Sequence, residues 1–127
     1  MSVALNHTIV WCRDKRRSAE FLTGVLGLPV AEAFGPFLVV EMDNGVSLDF
    51  QEVEGSIASQ HYAFLISEEE FDQIFGRICD GALDYWADPS LQQPGVINHG
   101  DEGRGVYFKD PDGHLLEIIT RPYGSGG

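Results

Sequence analysis

Apolar and polar positions alternate over 4–12, so that Leu5, Ile9 and Trp11 share one face with His7, and the period of two predicts a strand. Asp14 follows as a helix cap, and Phe21, Leu22, Val25 and Leu26 recur on one face of a helix over 15–26. Gly27 is placed to end that helix, and Pro29 stops its continuation. Two strands follow over 29–34 and 37–42, separated by Gly35-Pro36. Asp43-Asn44-Gly45 is a hairpin turn leading into a strand over 46–53.

The pattern then begins again. Glu54-Gly55-Ser56 opens the link between the halves, and a strand is expected over 60–66. Ser67 and Glu70 form a capping box, with acidic residues in the first turn where the helix dipole favours them. Phe71, Ile74, Phe75 and Ile78 recur at i, i+3, i+4 and i+7, which predicts an amphipathic helix over 68–79, ended by Asp80-Gly81. A short strand over 83–87 precedes a long loop over 88–103, rich in proline and glycine. Strands over 104–109 and 114–121 close the half, and 124–127 read as a flexible tail.

Both halves therefore read β-α-β-β-β, an α+β chain of two modules at about 1–55 and 58–123 within a single domain over 1–123. Each half opens on a strand with one histidine, His7 or His61, and closes on a strand with a carboxylate four residues past a turn glycine. Asp49 follows Gly45, and Glu117 follows Gly113. His61 lies 54 positions after His7, whereas Glu117 lies 68 after Asp49. The excess is accounted for by the loop over 88–103, the place where a substrate lid is expected. Two histidines with one or two carboxylates suit a borderline divalent ion, Fe, Mn, Ni, Co or Zn, and leave positions for substrate. Such an ion acts as a Lewis acid toward an oxygen-chelating substrate or activates dioxygen. Glu117, set among leucines and isoleucines, needs a partner or an ion if it points inward. Asp49 is the shorter acid and the fourth candidate. Taken singly, each of these side chains is equally at home as a packed histidine or an outward carboxylate; the duplication is what joins them.

With 127 residues and 43% apolar content, the chain is long enough to bury a core. A net charge of −12 argues against nucleic acid and anionic membranes as partners. No apolar run approaches the ~20 residues of a membrane span. Met-Ser-Val-Ala-Leu has no basic region before a long apolar stretch, so no secretory signal is read. Cys12 and Cys79 form no CxxC pair; a cytoplasmic chain with reduced thiols is expected, Cys79 packed and Cys12 with nothing nearby to activate it.

The stretches Leu5-Asn6-His7-Thr8, Gln60-His61-Tyr62-Ala63-Phe64 and Gly103-Arg104-Gly105-Val106-Tyr107-Phe108-Lys109-Asp110-Pro111-Asp112-Gly113-His114-Leu115-Leu116-Glu117 resemble the vicinal oxygen chelate superfamily, also called the glyoxalase/bleomycin resistance/extradiol dioxygenase superfamily. The resemblance spans almost the whole chain. It implies paired βαβββ modules forming a cup-shaped mixed sheet, usually in a homodimer, with metal ligands at His7, His61 and Glu117. Glyoxalase I-like members carry a glutamate as fourth ligand where this chain has Asp49, a departure. Fosfomycin-resistance and dioxygenase-like members manage with three ligands, and bleomycin-binding members lack the metal set.

Other residues are weighed around that centre. Trp11, Trp86, Arg104 and Tyr107 are candidates for binding substrate, although Arg104 serves equally as a salt-bridge partner and the tryptophans as core. His99 on the long loop is a candidate general acid or base, and Glu117 a candidate catalytic carboxylate besides its role as ligand. His114 faces away from Glu117 and is expected to stabilise its turn or meet solvent. Two functions follow: a divalent-metal-dependent enzyme of glyoxalase or dioxygenase type acting on a small molecule, or a dimeric protein that sequesters an antibiotic or aromatic metabolite without catalysis.

Overall fold

The computed structural model describes residues 2–125. The chain divides into two compact units between Ala58 and Ser59. The first holds β1 (His7–Cys12), α1 (Lys15–Leu26), β2 (Glu32–Phe34), β3 (Phe37–Glu41) and β4 (Ser47–Glu52). The second holds β5 (His61–Leu65), α2 (Glu68–Asp80), β6 (Tyr85–Trp86), a 3-10 turn at Gly100–Glu102, β7 (Gly105–Lys109) and β8 (Leu115–Ile119). Each unit is a βαβββ module with one mixed four-stranded sheet, in the orders β1-β4-β3-β2 and β5-β8-β7-β6.

The local signals act as expected. The Asp14 side chain accepts from Arg17 N–H, and Gly27 ends α1 in the left-handed region at φ 71°, where only glycine is unstrained. Ser67 and Glu70 form the reciprocal capping box of α2. Strand ends are shorter than the alternation suggested: pairing starts at His7, the second strand begins at Glu32, and the strand before the loop shrinks to Tyr85–Trp86.

Parity assigns the faces. In the first module Val10, Cys12, Val40, Leu48 and Phe50 are buried together with Ala19, Leu22 and Val25 of α1. In the second, Val106, Phe108, Leu116 and Ile118 are buried, as are Phe71, Ile74 and Ile78 of α2. Phe75 of α2 meets Tyr85 edge-on, with ring centroids 5.0 Å apart.

The loop over 88–103 has more structure than its composition suggested. It makes isolated bridges Trp86–Pro94 and Asn98–Gly105, and the Asn98 amide donates to the Ala87 carbonyl at 2.8 Å. A side chain at Gly105 would collide with Asn98, so that glycine permits the close approach. Cys79 is exposed and not packed, a correction: it follows Ile78, which holds the buried side of α2, and the helical rotation turns it outward. His114 is fully buried, not at solvent; its Nδ1 accepts from Gln60 N–H at 3.0 Å and ties the turn before β8 to the start of β5. Of the expected tail, residues 123–125 form a turn, and 126–127 lie outside the described residues. Among the described residues, no helix is long and apolar enough to cross a membrane.

Candidate metal centre

The two sheets repeat one register. β1 pairs parallel with β4, setting His7 beside Ser47 and Ile9 beside Asp49. β5 pairs parallel with β8, setting His61 beside Leu115 and Ala63 beside Glu117. In each module the carboxylate lies one face-position beyond the histidine, on the neighbouring strand and on the same face. The duplication read along the chain is therefore a duplication of side-chain placement.

The two copies differ in what their side chains touch. In the first module His7 Nδ1 meets the Asn6 amide oxygen at 2.7 Å, and buried Asp49 accepts from the Ser47 hydroxyl at 2.8 Å. In the second module His61 Nε2 lies 3.1 Å from Glu117 Oε1. Glu117 is 1% exposed, and the imidazole side of this pair is open to solvent. Within neither module, among the described residues, do three His, Cys, Asp or Glu side chains gather into a ligand set.

The tautomer of His61 follows from its other nitrogen. Nδ1 sits 3.0 Å from the Leu115 carbonyl, which can only accept, so Nδ1 carries a hydrogen. In a neutral ring Nε2 is then a bare lone pair turned toward Glu117 Oε1. The two atoms share either a second ring proton, which makes them an ion pair, or a metal ion held between them. At 3.1 Å the pair is within hydrogen-bonding reach, and the same two atoms would serve as neighbouring ligands to an ion. The carbonyl on Nδ1 is the kind of outer contact that fixes a ligating imidazole. His7 has the same polarity, because the Asn6 oxygen likewise leaves its hydrogen on Nδ1.

Tyr107 and Trp86 stand in the same cross-strand row as Glu117: Trp86 pairs with Tyr107, and Tyr107 with Glu117. The Tyr107 ring stacks on His61 with centroids 5.9 Å apart. Lys109 Nζ lies 5.8 Å from the Trp86 ring centre. Trp11 shares the face of His7 and Asp49 in the first module and is partly exposed. His99 is exposed on the loop, just before the 3-10 turn.

Arg104 lies elsewhere. Its parity places it with Val106 and Phe108, opposite the face of Glu117, and α2 engages it fully. Nε meets Glu68 Oε1 at 2.8 Å, Nη1 meets Asp72 Oδ1 at 2.9 Å, and Nη2 donates to the Glu68 carbonyl at 3.0 Å. The guanidinium also covers the Phe71 ring at 4.3 Å. These carboxylates raise the Arg104 pKa, Asp72 most strongly.

One residue reaches the centre without any sequence signal. The Tyr123 hydroxyl donates to Glu117 Oε2, and the Tyr107 hydroxyl lies 3.0 Å from that of Tyr123. Burial, then the bond to Tyr123 and the nearby Glu117 carboxylate, push the Tyr107 phenol well above its ordinary pKa. Desolvation, then the bond to Glu117, raises Tyr123 likewise, so both remain donors at neutral pH. Tyr123 lies beyond β8, where strand parity no longer assigns a face.

No family model matches the chain. A solved structure described as Oxidase ChaP-H2 is 61% identical, with a TM-score of 0.97 and 100% of both chains covered. Glutathione transferase FosA of Serratia marcescens is 30% identical over 125 residues, which is 93% of this chain and 81% of that protein. The fosfomycin resistance protein FosX of Listeria monocytogenes, solved as a mutant with Mn(II) and 1S,2S-dihydroxypropylphosphonic acid, shares the fold at 22% identity and a TM-score of 0.74, with 99% of this chain and 96% of that one covered. With the duplicated βαβββ module and these relatives spanning nearly its whole length, the chain belongs to the vicinal oxygen chelate superfamily, the glyoxalase, fosfomycin-resistance and dioxygenase-like proteins.

Proposed function

We propose that this protein is a divalent-metal-dependent oxidase acting on a small, oxygen-chelating substrate. The observation that carries the reading is the facing of His61 Nε2 and Glu117 Oε1 at 3.1 Å, with His61 Nδ1 committed to a carbonyl. His61 and Glu117 would hold the ion, with His7 completing the set as the third ligand that the family resemblance implies. Asp49, already engaged by Ser47, stays outside it. Two imidazoles and one carboxylate with open positions form the ligand type favoured by Fe(II) among the candidate ions. A bound ion of this kind polarises substrate oxygens and, as iron, exchanges electrons with dioxygen. The similarity to an oxidase at 61% identity over the full chain supports oxidation over isomerisation.

The remaining roles belong to the protein's own side chains. Buried Glu117 brings a negative charge that offsets that of the cation. Tyr107 and Trp86, in the row of Glu117, offer an aromatic wall to a planar substrate, and the Tyr107 hydroxyl stays protonated as a hydrogen-bond donor. Loop 88–103, pinned at Asn98, carries His99 as the candidate proton carrier. A homodimer is part of this proposal.

The test is metal content and Mn(II) binding, the latter read by loss of the free-ion electron paramagnetic resonance signal. Wild type is compared with His7→Ala, His61→Ala and Glu117→Ala after purification without chelators. About one ion per chain, lost in all three variants, supports the reading. A wild type that takes up no ion even after loading with Fe(II) or Mn(II) overturns it and leaves small-molecule sequestration.

A further inference from the structure

We infer that Tyr123 is a positioning residue for Glu117: its hydroxyl holds Oε2, so that Oε1 alone is presented toward His61 Nε2. The inference rests on the metal reading above and goes beyond it, because no feature of the sequence marks Tyr123.

Glu117 is a buried carboxylate whose two oxygens have different partners. Oε1 faces His61 and Oε2 accepts from Tyr123. The Tyr123 hydroxyl has a single hydrogen, and Glu117 takes it. In the 3.0 Å contact between the two phenols, Tyr107 must therefore be the donor. The result is a chain of one polarity, from Tyr107 to Tyr123 to Glu117. Its first member is fixed by the sheet, since Tyr107 pairs with Glu117 across β7 and β8 and stacks on His61. Its second member is fixed by the turn after β8. Ser125 N–H and Oγ both donate to the Pro122 carbonyl, at 3.1 and 2.6 Å, and Arg121 Nη2 donates to the Ser125 carbonyl at 2.8 Å. This turn carries the Tyr123 hydroxyl back to the strand it has just left, while most of the residue remains exposed.

A carboxylate held at one oxygen ligates through the other. Without the Tyr123 hydroxyl, Glu117 is free to turn about its last torsion, which is broad and roughly two-fold, and to offer both oxygens. Outer contacts of this sort typically change metal affinity by about 10–100-fold.

The experiment compares wild type, Tyr123→Phe, Tyr107→Phe and Glu117→Ala in Mn(II) affinity and in the visible spectrum of the Co(II)-loaded protein. Tyr123→Phe is expected to bind Mn(II) at least about 10-fold more weakly. Its Co(II) band is expected to change in position and intensity as the carboxylate moves from one-oxygen to two-oxygen ligation, while the melting temperature of the metal-free protein stays near wild type. Tyr107→Phe, which leaves the Tyr123 bond to Glu117 in place, should move both readouts the same way by less. A Tyr123→Phe protein with wild-type affinity and an unchanged spectrum overturns the inference and leaves the metal reading standing. A wild type that binds neither ion overturns both.

Discussion

Asp49 and Glu117 occupy the same point in two copies of one register, each one face-position beyond its module's histidine. Their surroundings separate them. Asp49 is satisfied by the Ser47 hydroxyl, whereas Glu117 faces the His61 imidazole. We expect Asp49→Asn to change Mn(II) affinity by less than about tenfold, and Glu117→Gln, which keeps the shape but loses the charge, to weaken it beyond the ~100-fold upper range of outer-contact effects. Equal losses in the two variants, measured by titration, would make Asp49 a fourth ligand.

Arg104 is expected to matter for stability and not for the metal. Its removal breaks two ion pairs with α2 and uncovers Phe71. Arg104→Ala should cost about 1–2 kcal/mol in chemical denaturation. Arg104→Lys should recover little of it, because an ammonium cannot make the forked and stacked contacts together. Undiminished stability in Arg104→Ala, or a fall in Mn(II) affinity, would refute this assignment.

Asp110 gives the fold a pH dependence of predictable sign. Burial raises its carboxyl above the ordinary range, although the backbone N–H groups of His114 and Asp112 donate to Oδ1 at 2.8 and 3.0 Å and pull the other way. A carboxyl raised on folding keeps its proton longer in the folded state. Stability therefore falls as pH rises from the unfolded value of about 3.9 through the folded one. Asp110→Asn keeps an oxygen for both amides and drops the charge. Its melting temperature relative to wild type should climb across that window and level off toward neutral pH. A melting-temperature difference that stays flat or falls across that window would contradict the argument.

The two thiols should differ sharply in reactivity. Cys12 is fully buried, with its Sγ 3.4 Å from the Gln51 carbonyl, whereas Cys79 is exposed. A disulfide reagent such as Ellman's should modify one thiol per native chain quickly and the second only on unfolding. Cys79→Ser should abolish the fast phase; if the fast phase survives, the assignment is wrong.

Much of the molecule was legible along the chain because the signals are local. Asp14, Gly27 and the Ser67–Glu70 box cap their own helices, and Phe71, Ile74 and Ile78 mark the buried side of α2 through helical period alone. Parity in a strand is equally local, so the common face of His7, Ile9 and Trp11 and the duplicated order of histidine and carboxylate were readable without coordinates.

Tertiary structure decided what each face meets. Parity did not say that Arg104 would be taken up by Glu68 and Asp72, which precede it by more than thirty positions. Nor did composition say that Asn98 would pin the long loop to Gly105, or that His114 would be buried beside Gln60. Tyr123 is the extreme case. It lies past the last strand, where no period constrains a side chain, and its hydroxyl reaches Glu117 only because the turn after β8 folds back. By itself, the sequence determined which residues are helical, which are extended and which share a face, because those follow from backbone geometry a few residues at a time. The partners of the ionisable and aromatic side chains were decided by strand register and turns that bring distant positions within hydrogen-bonding reach, and only the folded chain contains those.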